Sequence, residues 1–402
     1  MQFPGRHLLL ILLLWGAGLG AAGQFAKFSV ILPEMAMLYP GHGASIGFLV
    51  SLVSCVGVAL GLIAGVMLNR VGARRTLLVS LVLGAAVSLF QSLLPPFPVI
   101  LASRVLEGLS HLGIVVAAPT LISTLASAHY RSLAMSLWGT FFGVSFALTA
   151  WLGIPLVHTH GVDTLLLVHA GHMTVMAGLL AVLLPEHKAS AQELTEKNPQ
   201  PLFGNFLNRH RQAYGSPFIA APSVGWMFYA ATFVALMSVM PTLMPADQRS
   251  LVAGVMPLAS IAVSMTLGVY LLKLMGAVQV VTLGFIIAML MAIAFSLFPS
   301  TPWIPIALTG SLGLVQGASY AAIPQLNTRP ADQAIAYGTM AQTGNMGNII
   351  GTPLLLSVLG LANLQVMMAV VIGLYLSAVA LQSLLARARK RQTVHSLAPQ
   401  TP

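Results

Sequence analysis

Charged residues and cysteine are the scarcest features of this sequence. Only 6% of its residues are charged, whereas a soluble domain carries about 25%, so the chain cannot cover a water-facing surface. The single cysteine, Cys55, excludes an internal disulfide. The 8 acidic residues form no cluster with metal-ligand spacing, and no glycine-rich phosphate loop or nucleophile elbow occurs. We therefore expect no cofactor, no metal and no ATP hydrolysis by this chain, while a dispersed Ser–His–Asp arrangement is left open.

Apolar residues make up 57% of the 402 residues, and the mean hydropathy is +0.90. A membrane-spanning helix needs about 20 apolar residues, so the chain has room for some twelve spans. The sequence predicts an all-α membrane protein whose twelve transmembrane helices form two six-helix bundles. The predicted spans are 8–36, 45–69, 76–94, 98–126, 132–157 and 164–184, then 217–243, 250–272, 277–298, 303–327, 333–358 and 363–385.

One long polar stretch separates the two groups of spans. Part of it, Leu202–Tyr214, mixes Phe203 and Phe206 with Arg209 and favours a short helix on the lipid surface, although a flexible tether is the alternative. The predicted organisation is an N-terminal six-helix bundle at 1–184, a cytoplasmic linker at 185–216, a C-terminal six-helix bundle at 217–385 and a cytoplasmic tail at 386–402.

The net charge of +10 is explained by membrane orientation. Positive residues favour cytoplasmic loops. If both termini are cytoplasmic, 15 of the 18 Lys and Arg residues lie on that side. This pattern predicts a multi-pass protein of the inner or plasma membrane with both termini inside. The lipid bilayer is then its partner, nucleic acid is not, and we expect a monomer.

The two groups of spans contain similar segments. GVMLNRVGARRTLL at 65–78 corresponds to GVYLLKLMGAVQVV at 268–281, and AAPTLIST at 117–124 corresponds to AAIPQLNT at 321–328. Parallel halves related by an axis along the membrane normal are a transporter architecture, with the solute held between them. The repeat therefore indicates a transporter.

The loop between the second and third spans makes the chain resemble the major facilitator superfamily over essentially its whole length. Its glycines and arginines resemble the signature G-x-x-x-D-R-x-G-R-R, with asparagine in place of the usual aspartate. The resemblance implies a cytoplasmic gating latch that works during alternating access, and the alternative is that the arginines only set orientation. The residues concerned are Gly65, Asn69, Arg70, Gly72, Arg74 and Arg75.

Two further features bear on that resemblance. The fifth span lacks the G-P-x-x-G-G ending associated with drug–proton antiporters, which argues against multidrug export. Small residues allow close helix contact in lipid. The superfamily fold would place the small faces of the second and eleventh spans together, formed by Gly57 and Gly61 and by Gly347 and Gly351.

Ionisable groups at membrane depth are candidates for function. Lys27 lies mid-way along the first span, with Gln24 one turn earlier, and Arg104, Glu107 and His111 share one face of the fourth. The resemblance implies that spans 1, 4, 7 and 10 line the cavity. A buried surplus of one positive charge then favours an anionic solute, bound by Lys27 and Arg104, with Gln24 and His111 as further contacts. Glu107 and His111 would carry a coupling proton.

Each of these residues also has a structural interpretation. Arg104 and Glu107 can simply neutralise each other, and Lys27 can extend to the membrane surface or pair with Glu34. Histidines 169 and 172 are interpreted as interfacial. Aromatic and amide contacts to the solute, or packing alone, would come from Trp226, Tyr229, Gln316 and Tyr320.

The resulting hypothesis is a secondary active transporter, not an enzyme, that moves a small organic solute, anionic and proton-coupled, by alternating access. The alternative is an efflux carrier of the same fold that exports a drug, siderophore or other amphipathic metabolite. A third hypothesis, a membrane-embedded enzyme or sensor, would need reactive groups clustered at one surface.

Overall fold

The computed structural model describes residues 5–185, 206–245 and 247–397. In that part of the chain, eleven helices are long and apolar enough to span a membrane, and one further helix has 32 residues. The predicted twelve-helix architecture is confirmed. The helices are α1 (Gly5–Ser29), α2 (Phe48–Val71), α3 (Ala73–Gln91), α4 (Phe97–Leu125), α5 (Arg131–His160), α6 (Val162–Leu183), α7 (Pro217–Val239), α8 (Gly254–Leu274), α9 (Ala277–Leu297), α10 (Trp303–Leu326), α11 (Pro330–Leu361) and α12 (Leu364–Leu397).

Two predicted boundaries are wrong. The first span ends at Ser29, and a separate short helix, Leu32–Leu38, begins with a proline in its first turn. Proline lacks the N–H that would continue the preceding helix, so the chain turns there. The last helix continues to Leu397, through residues predicted to form a tail. Its charged end, with Arg387 and Arg389, extends α12 beyond the apolar segment.

The chain divides into two compact units, Met1–Gly204 and Asn205–Pro402. In the first unit α4 packs against α1, α2 and α3, while α1 packs against α5 and α6 and α3 against α6. In the second unit α10 packs against α7, α8 and α9, while α7 packs against α11 and α12 and α9 against α12. Each helix of the second unit therefore has the same packing partners as the helix six places earlier in the first unit. The sequence repeat therefore corresponds to a repeat of helix packing.

Helices α4 and α10 are the most buried helices of their units, and small residues allow their close contacts. A Cβ added at Gly108 would lie 2.7 Å from the backbone oxygen of Val53 in α2. A Cβ added at Gly313 of α10 would meet the backbone of Ser260 in α8. Since apolar side chains gain nothing from leaving lipid, such backbone proximity is what holds helices together in a membrane.

The predicted linker lies mostly in residues 186–205, outside the described residues. Its last part forms the helix Phe206–Gly215, which agrees with the predicted amphipathic helix. Leu207 on this helix is exposed, and the Tyr214 hydroxyl donates a hydrogen bond to Gln342 Oε1 of α11 at 2.7 Å. Burial raises the pKa of Tyr214 to about 12, so this phenol stays a donor at neutral pH.

Gly347 and Gly351 make a close approach, as the sequence predicts, and the helix they approach is α7 of their own unit. A Cβ at Gly347 would lie 2.5 Å from the Met227 oxygen, and one at Gly351 would meet the backbone of Ala231. The expected pairing of this face with Gly57 and Gly61 stays a prediction.

We expect Gly351→Ala to destabilise the protein and Gly360→Ala to stabilise it slightly. The first methyl group would push α7 and α11 apart, which costs about 1–3 kcal/mol. The second meets nothing within 4 Å and gains the helix propensity of alanine, about 0.5–1 kcal/mol. Thermal unfolding of the purified variants in detergent measures both. A Gly351→Ala variant as stable as the wild type would contradict this packing.

Candidate functional site

The ammonium group of Lys27 lies inside the first unit, where three acceptor atoms surround it. The residue is 1% exposed. Its Nζ donates to Ser88 Oγ at 2.5 Å and Gln91 Oε1 at 2.8 Å, both on α3, and lies 2.5 Å from Glu107 Oε1 on α4. An ammonium group has three N–H donors. Two of them donate to Ser88 and Gln91, and Glu107 is the ion-pair partner of the group, so a solute that binds it competes with three neighbours from its own unit.

The Glu107 carboxylate joins the two buried cations. Its Oε1 faces Lys27, and its Oε2 accepts hydrogen bonds from Arg104 and from Gln91 Nε2, the latter at 2.8 Å. The Gln91 side chain therefore accepts a hydrogen bond from Lys27 through its amide oxygen and donates one to Glu107 through its amide nitrogen. Such partners are what a buried charge needs in order to be tolerated.

Arg104 connects three helices. Its Nε donates to the Leu49 carbonyl of α2 at 2.6 Å, and its second terminal nitrogen donates to the Gln24 carbonyl of α1 at 2.7 Å. The guanidinium also lies 4.5 Å from the centre of the Phe28 ring, within cation–π range. The predicted Arg104–Glu107 pair is present. Lys27 pairs with Glu107 rather than with Glu34, which contacts His158 at 3.0 Å.

The three charged groups of this cluster leave one positive charge in excess. Lys27, Arg104 and Glu107 are each no more than 1% exposed. Two cations and one carboxylate give a net charge of +1 with water excluded. An uncompensated charge at membrane depth costs several kcal/mol. The cluster therefore favours either an added anion or the loss of a proton.

The other two residues of the first unit that were predicted to contact the solute, Gln24 and His111, lie next to the cluster. Gln24 Nε2 donates to Ser110 Oγ at 2.8 Å, and Ser110 donates to the Ser80 carbonyl at 2.6 Å. His111 Nδ1 lies 3.0 Å from the Ala21 carbonyl, and its ring packs edge-on against Phe25 at 4.9 Å. His111 is thus anchored to α1.

Sequence reasoning missed three members of this network: Ser88, Gln91 and His169. His169, which the sequence analysis interprets as interfacial, is 8% exposed, with Nδ1 2.7 Å from Ser88 Oγ and Nε2 2.9 Å from the Gly20 carbonyl. Gly23 makes room for the ring, since a Cβ there would lie 2.9 Å from it. The sequence did contain a signal for His169. It is a histidine within an apolar span, in the same predicted bundle as Lys27, a lysine that needs hydrogen-bond partners.

The residues predicted in the second unit form an aromatic cluster. Trp226 stacks on Tyr229 at 4.7 Å and meets Tyr320 edge-on at 4.8 Å, and Tyr229 stacks on Phe233 at 4.9 Å. Gln316 Oε1 accepts a hydrogen bond from Ser260 at 3.2 Å. The charged cluster and the aromatic cluster thus belong to different units. The first suits an anionic group and the second suits an apolar or ring-shaped one.

The predicted gating loop contains a conformation that requires glycine. Gly72 has φ of +92° and ψ of 142° between α2 and α3, a region that L side chains rarely adopt. Arg74 donates to the carbonyls of Leu184 and Ala181 at 2.9 and 2.7 Å, at the end of α6. A cation at a helix C-terminus is favourable. These contacts of Arg74 lie within its own unit.

The other residues predicted to form the gating loop differ in their exposure. Arg75 and the neighbouring end of α2 at Val71 are exposed, while Gly65 is buried and Arg70 half-buried. The side chain of Asn69 lies outside the described part of the chain. The gating role of the loop stays a prediction.

Within the described residues, eleven helices apolar enough to span a membrane and a twelfth of 32 residues form two units of equivalent packing. This is the architecture of an integral multi-pass membrane transporter. The chain belongs to the Major Facilitator Superfamily, whose model matches residues 10–352. Members of this family are transporters and not enzymes. None of the curated proteins matches the sequence.

Several solved structures share the fold. The human organic anion transporter MFSD10 (TETRAN) is 17% identical, with a TM-score of 0.75 and coverage of 95% of this chain and 100% of that one. The E. coli fucose:proton symporter FucP is 14% identical, with a TM-score of 0.73 and coverage of 94% and 99%. The proton:xylose symporter XylE is 14% identical, with a TM-score of 0.73 and coverage of 94% and 95%. At these identities the similarity concerns the fold.

We expect Glu107→Gln to destabilise the protein more than Lys27→Met. The first change leaves two buried cations without a carboxylate, and the second leaves the neutral Arg104–Glu107 pair. Removing one partner from a buried pair costs about 3–5 kcal/mol. The thermal unfolding midpoints of the two purified variants in detergent show which variant is less stable.

The matched control for this comparison is Asp332→Asn. Asp332 pairs with Arg329 at 2.8 Å, and the Arg329 side chain is 76% exposed. Loss of an exposed pair costs about 0–1 kcal/mol. Equal unfolding midpoints for Glu107→Gln and Asp332→Asn would contradict the role assigned to the buried carboxylate.

Proposed function

We propose that this transporter carries a small organic anion together with a proton, by alternating access. The observation that carries the proposal is the surplus positive charge of the buried cluster formed by Lys27, Arg104 and Glu107. Arginine and lysine are the side chains suited to a carboxylate, arginine through its fork and lysine as a point charge. The same surplus is unexplained if the cargo is neutral.

Anion binding and proton binding support each other at such a cluster. Each added proton raises the cluster charge by one, which strengthens its attraction for an anion. By linkage, a bound anion favours the protonated cluster by the same free energy. Glu107, the acid of this cluster, and the nearby His111 are the groups from which the sequence led us to expect this proton. Lys27 belongs to the same charge balance.

A solute carboxylate would compete with Glu107 for donors. Lys27 already has Ser88, Gln91 and Glu107 as partners, and a carboxylate that binds it is proposed to replace Glu107. Replacing Glu107 would free that carboxylate to accept a proton. Lys27 and Arg104 are therefore proposed as solute-binding groups that exchange partners during the cycle. Gln24 and His111 are proposed as their neighbours in the site.

Four residues of the second unit are also proposed as solute-binding residues: Trp226, Tyr229, Gln316 and Tyr320. Their clustered rings offer an apolar, planar surface, and Gln316 offers an amide. The names of the similar structures agree with the proposed anionic solute and with the proposed proton coupling. One similar protein is named as an organic anion transporter and others as proton symporters.

The orientation and assembly are also proposals. Both termini are placed in the cytoplasm of an inner or plasma membrane, because this puts 15 of 18 basic residues on the cytoplasmic side. The arginine-rich loop between α2 and α3 is proposed as the cytoplasmic gate. The transporter is proposed to act as a monomer.

The test is flux in proteoliposomes with a proton gradient imposed in each direction. Lactate, succinate and benzoate are compared with a sugar, an amino acid and a cationic dye. We expect inward movement of a carboxylate accompanied by protons. Lys27→Gln and Arg104→Gln should lower that flux at least tenfold, while Arg391→Gln, an exposed cation at the end of α12, should leave it unchanged.

Dye extrusion without carboxylate movement would overturn the proposal in favour of an efflux carrier of amphipathic compounds, for which the aromatic cluster is the supporting observation. Carboxylate flux without proton movement would contradict only the proposed coupling to protons. Monitoring the unfolding midpoint of each variant separates lost transport from lost folding.

A further inference from the structure

His169 is a buried histidine to which the proposed transport cycle has so far assigned no role. It lies on α6 and contacts two other helices of its unit, α1 through the Gly20 carbonyl and α3 through Ser88. His172, one turn further along α6, contacts the Gly16 carbonyl at 2.9 Å and is only half-buried. Of the two, His169 is connected to the charged cluster.

The hydrogen bonds around His169 have a fixed direction. A carbonyl oxygen can only accept, so His169 Nε2 carries the hydrogen that is donated to Gly20. In a neutral ring the other nitrogen, Nδ1, is then an acceptor, and the Ser88 hydroxyl donates to it at 2.7 Å. Since Ser88 uses its only hydrogen there, its oxygen accepts from Lys27 Nζ at 2.5 Å. The donors therefore run in one direction, from Lys27 through Ser88 to His169.

We propose that the coupling proton leaves the charged cluster along this chain, with His169 as the group that receives it. The proposal rests on the proton coupling of the proposed function. One N–H bond of Lys27 breaks as an O–H bond forms at Ser88, and the original O–H bond of Ser88 breaks as an N–H bond forms at His169 Nδ1. Lys27 becomes neutral, His169 becomes a cation, and the serine is unchanged. One proton moves and no other reactant is needed.

The surrounding charges explain why this transfer can respond to the solute. Lys27 faces Glu107 and Arg104, whereas His169 faces Lys27, Glu107 and Ser88 and has His172 as its titratable neighbour on α6. Transfer removes the surplus charge from the Arg104–Glu107 pair and places it beside α6. An anion bound near Lys27 opposes the transfer, and its departure permits it. The anion thus controls release of the proton.

The matched variants follow from the contacts. His169→Asn removes the acceptor, and Ser88→Ala interrupts the chain while leaving Lys27 and His169 in place. Ser88→Thr restores the hydroxyl. His172→Asn removes the neighbouring histidine, which also contacts an α1 carbonyl, and serves as the control.

The transport readout compares proton-driven accumulation with solute counterflow, using whichever of lactate, succinate and benzoate the wild type carries. Counterflow needs no net proton movement. We expect His169→Asn and Ser88→Ala to lose accumulation at least tenfold, and His169→Asn, which is not a hydrogen-bond partner of Lys27, to keep counterflow within twofold. Ser88→Thr should restore accumulation, and His172→Asn should keep both. Normal accumulation in His169→Asn and Ser88→Ala would overturn the relay. A wild type that carries the solute without protons would instead remove the proposed coupling itself.

A second readout needs no solute. In the protein labelled with nitrogen-15 at histidine, the His169 signals, assigned by comparison with His169→Asn, should show hydrogen on Nε2 near neutral pH and a second proton on Nδ1 on acidification. Ser88→Ala should change the pH of that second step, and His172→Asn should change it less. Hydrogen on Nδ1 near neutral pH would reverse the donor direction and overturn the relay.

Discussion

The first unit depends on one constraint, which is that the Glu107 carboxylate and two cations must share a space without water. Lys27 reaches it from α1, Arg104 holds it from within α4, and Gln91 completes it from α3. Each partner comes from a different helix because a buried charge is stable only when its hydrogen bonds are satisfied. Arg104 extends the network to α2 through the Leu49 carbonyl. The charges that suggest function therefore also determine how these helices meet.

The second unit has the same packing of helices around a different interior. Its contacts depend on glycine faces, such as Gly347 and Gly351 against α7, and on stacked rings around Trp226. In lipid, close packing and aromatic contacts supply the attraction that the hydrophobic effect supplies in water. The two units thus share their helix pairs, while their interiors differ in chemistry.

In the proposed function, the charged cluster would also couple solute binding to proton binding. Lys27 has Ser88, Gln91 and Glu107 as partners, and a solute carboxylate that replaced Glu107 would change the charge balance of the cluster. Binding and protonation are then linked because they draw on the same few donors. The histidine at the end of the donor chain lies on α6, whose other contacts are with α1 and α3. Helix movement and proton movement would therefore act on the same surfaces.

The class of protein, the number of spans and the duplication could be predicted from the amino-acid sequence alone. These follow from apolar runs, charge placement and repeated segments, which are local and need no knowledge of neighbours. It also singled out Lys27, Arg104 and Glu107, because charge at membrane depth is costly in any fold. Only the tertiary structure decided that Lys27 pairs with Glu107 and not Glu34, that Ser88 and Gln91 belong to the network, and that His169 is buried. Those facts depend on which faces of α1, α3, α4 and α6 meet, and helix rotation is set by packing between segments distant in sequence.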